Sequence, residues 1–466
     1  MPRVHAFSDD ALGDLDAVGL VEHIQARKVS VVEVVEAAIA RTEQVCDELG
    51  AVAHKAFDRA RTESADPRGG YFAGVPTFVK DNVDVAGMPT MHGTDAWTPY
   101  PAKKDGDFAR MYLATGLLPL GKTQLSEYGF SACAEHPRLG PVRSPWSTDH
   151  SAGASSAGSA ALVAAGAVPI AHANDGGGSI RIPASVNGLV GLKPTRGRLA
   201  QDAAMRQMPV RIVHDGVLTR SVRDTAAFFR EAERVYRPLA LPPVGDITRP
   251  GRKRLRVALN TTGLSRGADA EVTALTEDVA RLLEDLGHTV IEVDPPVHAG
   301  FADDFLLYWA SLAVAMLGTG RLVHGRSFDR ARHDRLTTGL ATHARRNAHR
   351  LPGAVLRLRR CVRDAELFFQ KYDATLSPTV ATPTPRIGHL DPTQDYETVM
   401  DRLLTWVAFT PLQNVTGTPA VSLPLATTAE GLPQGMMFGA GAGQEAALLE
   451  LAYELEQARP FPRITG

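Results

Sequence analysis

The stretch HSAGASSAGSAALVAAGAVPIAHANDGGGSIRIPASVNGLVGLKPTR, residues 150–196, decides how the rest of the chain is interpreted. It holds two clusters of small residues, at 153–159 and 175–179, with an Ala-rich apolar run at 160–173 between them. A flexible Gly/Ser linker would not enclose such an apolar run. The two glycine-containing clusters, each of which ends on a serine hydroxyl, therefore predict tight turns that form part of an active site.

Length and composition are typical of a soluble globular protein. The 466 residues, 44% of them hydrophobic, can bury a large core. A formal net charge of −2 gives no reason to expect nucleic acid or an anionic membrane as a partner. Three scattered cysteines are too few for a disulfide framework or a Cys-rich zinc site. No secretory signal opens the sequence, and its longest apolar runs, at 160–173 and 306–317, are shorter than a membrane span, so we expect a cytoplasmic protein.

The order of the predicted elements indicates an α/β fold. Residues 10–65 predict helices, because their apolar residues recur at helical spacing. Residues 77–79 predict a short strand that leads directly into Lys80. Strands at 254–259 and 289–293 flank a predicted helix at 268–286, which is a βαβ pattern. Residues 300–372 predict several helices, with a basic segment at 321–350 that is most simply a solvated surface.

Two common motifs occur in the wrong context. GLLPLGKT at 116–123 matches the phosphate-binding Walker pattern, but a predicted helix precedes the first glycine and LLPL itself predicts a strand. GLSRG at 263–267 matches a hydrolase elbow, but Ser265 follows the predicted strand by six residues. A Ser/His/Asp triad assembled from distant residues stays open, because fifteen histidines are available.

The remaining chemistry joins Lys80 to the two serine clusters. A serine hydroxyl is a poor nucleophile until a base takes its proton. A neutral lysine can be that base where burial and hydrogen-bond donors lower its pKa. The run 176–179, Gly-Gly-Gly-Ser, offers successive N–H groups with no side chains to block approach, so it could hold an oxyanion beside Ser179.

Three segments together resemble the amidase signature family: AGVPTFVKDNVDVAG at 73–87, GASSAGS at 153–159 and NDGGGSIRIPASVNGLVGLKPTRGR at 174–198. The family pattern places a second serine 24 residues after the first cluster serine, and Ser179 follows Ser155 by 24. FTPLQNVTGTPAVSLPL at 409–425 fits as well, so the resemblance spans nearly the whole chain. Within the family the chain is most similar to bacterial amidases of the 6-aminohexanoate-cyclic-dimer hydrolase-like group.

The resemblance implies a role for each matching residue. Ser179 is expected to be the acylated nucleophile, Lys80 the general base, and Ser155 the proton relay between them. The peptide bond before Ser155 is expected to be cis. The implied oxyanion hole consists of the backbone N–H groups of Gly176, Gly177, Gly178 and Ser179.

Three further residues are expected to support the site. Ser156 could hydrogen-bond Lys80 or the substrate, while Asp175 and Arg181 are expected to form a structural pair that holds the loop. For the substrate pocket we expect an apolar acyl site, for which the candidates are Phe130, Cys133, Tyr308, Trp309 and Trp406.

The implied reaction is hydrolysis of a carboxylic amide, without metal or cofactor. The expected substrate is a small, uncharged or hydrophobic amide, and no nucleic acid or membrane partner is expected. One alternative is the glutaminase subunit of a tRNA-dependent amidotransferase, which shares the triad. A more remote one is a non-catalytic protein that binds a nucleotide or another small molecule.

The resemblance also implies the architecture. We expect a single amidase domain over residues 1–466, built on a large mixed β-sheet covered on both faces by α-helices. Its signature core would lie at about 65–235, and the helical segment at about 300–372 would shape the substrate pocket. The sequence leaves a homodimer open.

Overall fold

The computed structural model describes residues 3–264 and 266–465, so Ser265 of the GLSRG segment lies outside the described residues. Helices and strands alternate along most of the chain, which confirms the α/β class. The α-helices of the described residues are α1 Ala17–Gln25, α2 Val31–Leu49, α3 Phe57–Ala65, α4 Asp107–Ala114, α5 Ala157–Ala164, α6 Arg181–Asn187, α7 Ala203–Arg206, α8 Val222–Val235, α9 Ala270–Asp285, α10 Phe301–His324, α11 Arg335–Arg346, α12 Leu351–Phe368, α13 Tyr396–Trp406, α14 Pro411–Thr416 and α15 Glu445–Ala458.

Within residues 3–264 and 266–465, the strands form one large sheet and three small ones. In chain order they are β1 Val52–Lys55, β2 Pro76–Lys80, β3 Leu118–Thr123, β4 Glu135–His136, β5 Gly140–Pro141, β6 Arg143–Ser144, β7 Ser147–Ser151, β8 Ile170–Asp175, β9 Val190–Lys193, β10 His214–Thr219, β11 Arg256–Leu259, β12 Thr289–Glu292, β13 Ala374–Pro378, β14 Ala420–Thr427 and β15 Pro433–Ala440.

The large sheet has eight strands in the order β12-β11-β13-β15-β14-β9-β10-β8. It is mixed, because β11 pairs in parallel with β12 and β13 while the remaining neighbours are antiparallel. Helices α6, α8, α9 and α15 pack against it. The expected large mixed sheet flanked by helices is confirmed, and the predicted βαβ unit is β11-α9-β12.

A separate sheet of three strands, β1-β3-β2, lies beside β8. Pro76 is the first residue of β2, where its missing N–H costs little, and Lys80 is the last. Every residue of β2 is buried, so the lysine at its end is carried into the interior. The structure corrects one expectation here: Val52–Lys55 is a strand inside the region predicted to be helical.

Helix α10 is longer than the apolar run at 306–317 that the sequence analysis compared with a membrane span. Among the described residues, 301–327 is the one helical stretch long and apolar enough to cross a membrane by length and composition, and 33% of its 18-residue apolar window is buried in the fold. The run at 306–317 by itself is shorter than a span, but the helix continues beyond it. Helix α10 packs against α11 and α12, and one of its faces forms a wall of the cavity described below.

Candidate active site

Three chain segments bring the predicted residues together. Lys80 ends β2, and Ser155 and Ser156 immediately precede α5. The loop at 176–180 connects the end of β8 to α6 and carries Ser179. The peptide bond between Ala154 and Ser155 is cis, as the resemblance implied.

The Lys80 side chain is fully buried and surrounded by oxygen atoms. Its Nζ lies 2.6 Å from Ser155 Oγ, 3.0 Å from Ser156 Oγ and 2.6 Å from Asn174 Oδ1. The expected contact between Lys80 and Ser156 is therefore present. Asn174 is a partner that the sequence analysis did not assign, although it lies next to Asp175 in a quoted segment.

These contacts suit a neutral lysine. Ser156 Oγ donates to the Asn174 carbonyl at 3.2 Å, so it accepts from Lys80, and Asn174 Oδ1 also accepts. A neutral amine has two N–H groups, which these two acceptors engage. Its lone pair is then left for the Ser155 hydroxyl, which is the arrangement that a base and its proton relay require.

Electrostatics favour the same protonation state. Burial lowers the pKa of Lys80 to about 7, and the carboxylates of Asp175 and Asp215 oppose this effect only in part. The backbone N–H of Lys80 donates to His172 Nδ1 at 3.2 Å, while His172 Nε2 lies 3.2 Å from Asp215 Oδ1. Burial lowers the pKa of His172 as well, so the ring adds no positive charge beside the base. Because Nδ1 accepts the Lys80 N–H, the proton of the neutral ring lies on Nε2.

A buried ion pair between Asp175 and Arg181 fixes the loop at 176–180. Arg181 Nε lies 2.9 Å from Asp175 Oδ2, and Asn414 Nδ2 donates to Asp175 Oδ1 at 2.8 Å. Burial would raise the pKa of Asp175, but the charge and hydrogen bonds of Arg181 and the Asn414 amide outweigh it and hold this pKa well below its ordinary value. The expected structural role of the Asp175–Arg181 pair agrees with these contacts.

The glycines of the loop are not equivalent. Gly178 donates its N–H to Asp175 Oδ1 at 2.7 Å, so its N–H fixes the loop and we leave it out of the oxyanion hole expected from the resemblance. Within the described part of the chain, the N–H groups of Gly176, Gly177 and Ser179 have no hydrogen-bond acceptor. Gly176, Gly177 and Ser179 are half-exposed and line a cavity, whereas Gly178 does not line it.

This cavity has a volume of about 360 Å³ and reaches Ser155, Asn174 and Ser179. Its walls are mainly apolar, and among its described lining residues there is no Asp, Glu, Lys or Arg. The larger apolar members include Phe130, Ile182, Phe305, Trp309, Leu312 and Leu403. A second cavity, of about 470 Å³, lies between the N- and C-terminal segments and contains none of the predicted site residues.

Two of the five candidate pocket residues, Phe130 and Trp309, line the cavity. The other three do not, and the expectation for them was wrong. Tyr308 directs its hydroxyl to the Val210 carbonyl at 2.7 Å, and Trp406 donates its indole N–H to a backbone carbonyl at 3.1 Å. Cys133 is buried in the apolar cluster behind Phe130. All three are core residues, which is the more common role of such side chains.

One group of side chains among the described residues has the spacing of a metal site. The ligand atoms of Glu127, His136 and Asp334 lie within 4.8 Å of one another. However, His136 Nδ1 accepts the N–H groups of Arg138 and Leu139, which places its proton on Nε2, the atom that a metal would need. Both carboxylate oxygens of Glu127 already accept hydrogen bonds from neighbouring groups. The donor set therefore does not fit a metal ion.

The chain is similar over nearly its whole length to proteins that are named as amidases or amide hydrolases. The family model described as Amidase matches residues 33–449. AmiC of Mycobacterium leprae (strain TN), which carries an amidase name, is 64% identical over 465 residues and covers 100% of this chain and 99% of its own. The 6-aminohexanoate-cyclic-dimer hydrolase of Pseudomonas sp. (strain NK87) is 32% identical, covering 96% of this chain and 95% of its own. A solved structure of 6-aminohexanoate cyclic dimer hydrolase superposes with a TM-score of 0.88 at 30% identity, over 98% and 100% of the two chains.

Proposed function

The chain belongs to the amidase signature family and is an amidase, a hydrolase of amide bonds, and from this premise we propose that it acts through a Ser179 acyl-enzyme. The observation that carries the proposal is the 2.6 Å contact of Lys80 Nζ with Ser155 Oγ, because Ser155 and Ser179 line the same cavity. Lys80 is then the base, Ser155 the relay and Ser179 the nucleophile.

In the acylation step, neutral Lys80 takes the Ser155 proton while Ser155 takes the proton of Ser179. Ser179 Oγ forms a bond to the substrate carbonyl carbon, and the N–H groups of Gly176, Gly177 and Ser179 stabilise the oxyanion. The C–N bond then breaks as the proton returns from Lys80 through Ser155 to the leaving nitrogen. In deacylation, water gives a proton through Ser155 to Lys80 while its oxygen bonds to the acyl carbon. The C–O bond to Ser179 then breaks as the proton returns through Ser155 to Ser179 Oγ, which releases the carboxylic acid.

The proposed substrate is a small amide with an uncharged, apolar acyl group. A cavity of about 360 Å³ without charged lining residues favours such a molecule. It also argues against the glutaminase alternative, because the α-ammonium and α-carboxylate of glutamine would enter without a partner charge. A panel of purified amides tests this, and a consistent preference for acidic amides would refute it.

The rest of the proposal concerns the chain as a whole. We take residues 1–466 to work as one amidase domain, because the cavity draws on residues from Asn82 to Pro411. We also propose that it is cytoplasmic and needs neither nucleic acid nor a membrane, in keeping with its formal net charge of −2.

The decisive experiment replaces Ser179 by alanine. Ser179→Ala should abolish amide turnover and labelling by a fluorophosphonate, whereas Ser131→Ala, a serine that lines the same cavity, should retain both. Lys80→Ala should nearly abolish amide hydrolysis and affect activated esters less, since their leaving groups need no proton. Labelling of a residue other than Ser179, or turnover by Ser179→Ala, would contradict the proposal. A non-catalytic binding protein would leave Ser179 unlabelled.

A further inference from the structure

The cavity has two chemically different sides, and contacts with the catalytic loops identify them. On the oxyanion side, a Cβ added at Gly177 would lie 3.5 Å from the ring of Phe305. On the relay side, a Cβ added at Gly129 would lie 3.0 Å from Ser155 Oγ. The backbone at Gly129 therefore borders the serine that handles the proton, and the apolar wall of α10 borders the oxyanion donors.

Two polar members of the lining, Asn82 and His92, are tied to the relay side by backbone hydrogen bonds. Asn82 follows Lys80 by two residues and donates its N–H to the Lys80 carbonyl at 2.8 Å. His92 donates its N–H to the Asp81 carbonyl at 2.9 Å, and its own carbonyl accepts the N–H of Tyr128 at 2.8 Å. Because Tyr128 precedes Gly129, these segments together enclose the space in front of Ser155.

Asn82 and His92 both present unused hydrogen-bonding groups. Both side chains line the cavity, and neither has a hydrogen-bond partner among the described residues. Asn82 Oδ1 is buried, and leaving a buried polar atom unpaired costs about 1–3 kcal/mol. His92 has a φ of 55°, a left-handed conformation that non-glycine residues adopt rarely and that is concentrated at functional sites.

The reaction determines which part of the substrate occupies the space in front of Ser155. The leaving nitrogen departs only after it receives a proton through Ser155, so the amine part of the substrate must lie on the Ser155 side. We propose that Asn82 and His92 form a subsite for the leaving amine and select amides whose amine part is small, polar and uncharged, namely primary carboxamides and hydroxyalkyl amides. This inference rests on the proposed acyl-enzyme function.

The two side chains complement such an amine. A carboxamide offers both a donor and an acceptor, and a neutral imidazole does the same. Burial lowers the pKa of His92 to about 4, so the ring is neutral at physiological pH. An amine group carrying a fixed charge would find no counter-charge among the described lining residues.

The test uses substrates that share a hexanoyl group and differ in what leaves: hexanamide, N-(2-hydroxyethyl)hexanamide, N-butylhexanamide and p-nitrophenyl hexanoate. The variants are Asn82→Leu, which keeps the side-chain shape, and His92→Phe, which keeps a ring beside Tyr128. Each should lower kcat/KM for the first two amides about 10- to 100-fold, because a polar group of the buried amine part is left without a partner. N-butylhexanamide, whose butyl chain has no hydrogen-bonding group, should be affected less. Turnover of the ester, whose leaving group has no N–H, should change less than about twofold and shows that the variant is folded.

Phe305→Leu serves as the matched control on the opposite side. It should change the amides and the ester by the same factor, because all of them share the acyl group. Equal effects of Asn82→Leu and His92→Phe on amides and ester would overturn the subsite.

A second measurement uses the acyl-enzyme in reverse. Hydroxylamine attacks the hexanoyl carbon, the C–O bond to Ser179 breaks, and the nitrogen's proton passes through Ser155 to Ser179 Oγ, giving hexanohydroxamic acid. Because an added amine must occupy the leaving-amine subsite, both variants should lower the ratio of hydroxamate to acid. An unchanged ratio would overturn the subsite, while turnover by Ser179→Ala would instead overturn the proposed function.

Discussion

The neutral side chain of Asn174 contacts Lys80 without raising its pKa, and the variant Asn174→Asp tests the importance of that neutrality. Asn174 Oδ1 lies 2.6 Å from Lys80 Nζ and is neutral. Burial lowers the pKa of Lys80 to about 7, so about half of the lysine is deprotonated at pH 7. In the native protein, kcat/KM for an amide should fall about tenfold for each pH unit below 7 and level off above about 8.

The size of the effect follows from the contact distance. A carboxylate 2.6 Å from the ammonium attracts it by about 6 kcal/mol at an effective dielectric constant of about 20. The burial of the new carboxylate offsets about half of this. The remaining energy, about 3 kcal/mol, favours the charged lysine and raises its pKa by about two pH units. Asn174→Asp should therefore lose about 50-fold in kcat/KM at pH 7, because the neutral fraction of Lys80 falls from about one half to about one hundredth, and should recover as the pH rises toward 9.

The assay is the pH dependence of kcat/KM for hexanamide from pH 5 to 10 at constant ionic strength. Asn174→Ala is the control, because it removes the acceptor without adding charge and should keep the rising limb at or below pH 7. Lys103→Ala, at an exposed lysine, should leave the native profile unchanged. A rising limb that stays near pH 7 in Asn174→Asp would refute the assignment of this titration to Lys80.

Three other outcomes are expected from the same contacts. Arg181→Met should lower the free energy of unfolding by about 3–5 kcal/mol in urea denaturation, because it leaves a buried carboxylate unpaired; a loss below about 1 kcal/mol would contradict this. Gly178→Ala should inactivate the enzyme, since its Cβ would lie 2.4 Å from a threonine hydroxyl at a φ of 144°, whereas Gly177→Ala, with 3.5 Å to its nearest neighbour, should fold with an unchanged melting temperature. Trp309→Ala should shift kcat/KM toward longer acyl chains, while Tyr308→Phe should leave chain-length preference unchanged, and equal shifts in both would argue against the cavity wall assigned here.

The residues around the base show what a sequence reveals and what it does not. Lys80 at the end of a short apolar strand could be predicted, because Thr77–Val79 has strand character and Pro76 suits a first position. Asn174 was not assigned, because its contact with Lys80 depends on how β8, Ile170–Asp175, packs beside β2. The sequence did contain an indication of this contact. His172 and Asn174 are two residues apart and therefore share one face of the strand, the face that contacts Lys80.

The pocket residues failed for a different reason. Aromatic type alone selected both Tyr308 and Trp309, but neighbours on a helix point about 100° apart, so they do not share one face. The cavity face of α10 carries Phe305, Trp309, Leu312 and Met316, at the spacing i, i+4, i+7 and i+11. The position of a residue around the helix decides whether it lines the cavity. The packing of α10 determines which side of the helix faces the cavity, and the sequence alone does not reveal it.

Strand β1 illustrates a limit of local patterns. Val52–Lys55 has four residues that alternate between partly buried and exposed, too few to outweigh the helical spacing on either side. It becomes a strand because it pairs antiparallel with β3, whose sequence lies more than sixty residues away. A partner that distant leaves no local signal, since strand formation there depends on tertiary contacts.

The alternation of β8 also explains how a neutral base and an ion pair coexist in one site. Asn174 and Asp175 are consecutive, so their side chains leave the strand on opposite faces. Asn174 turns to Lys80, while Asp175 turns to Arg181 and Asn414. Arg181 and the loop that carries Ser179 thereby satisfy the ionised carboxylate of Asp175, which restores only part of the pKa that Lys80 loses through burial. A one-residue shift in the register of β8 would exchange these faces, placing the carboxylate against the base, and the site would lose the neutral amine on which its chemistry depends.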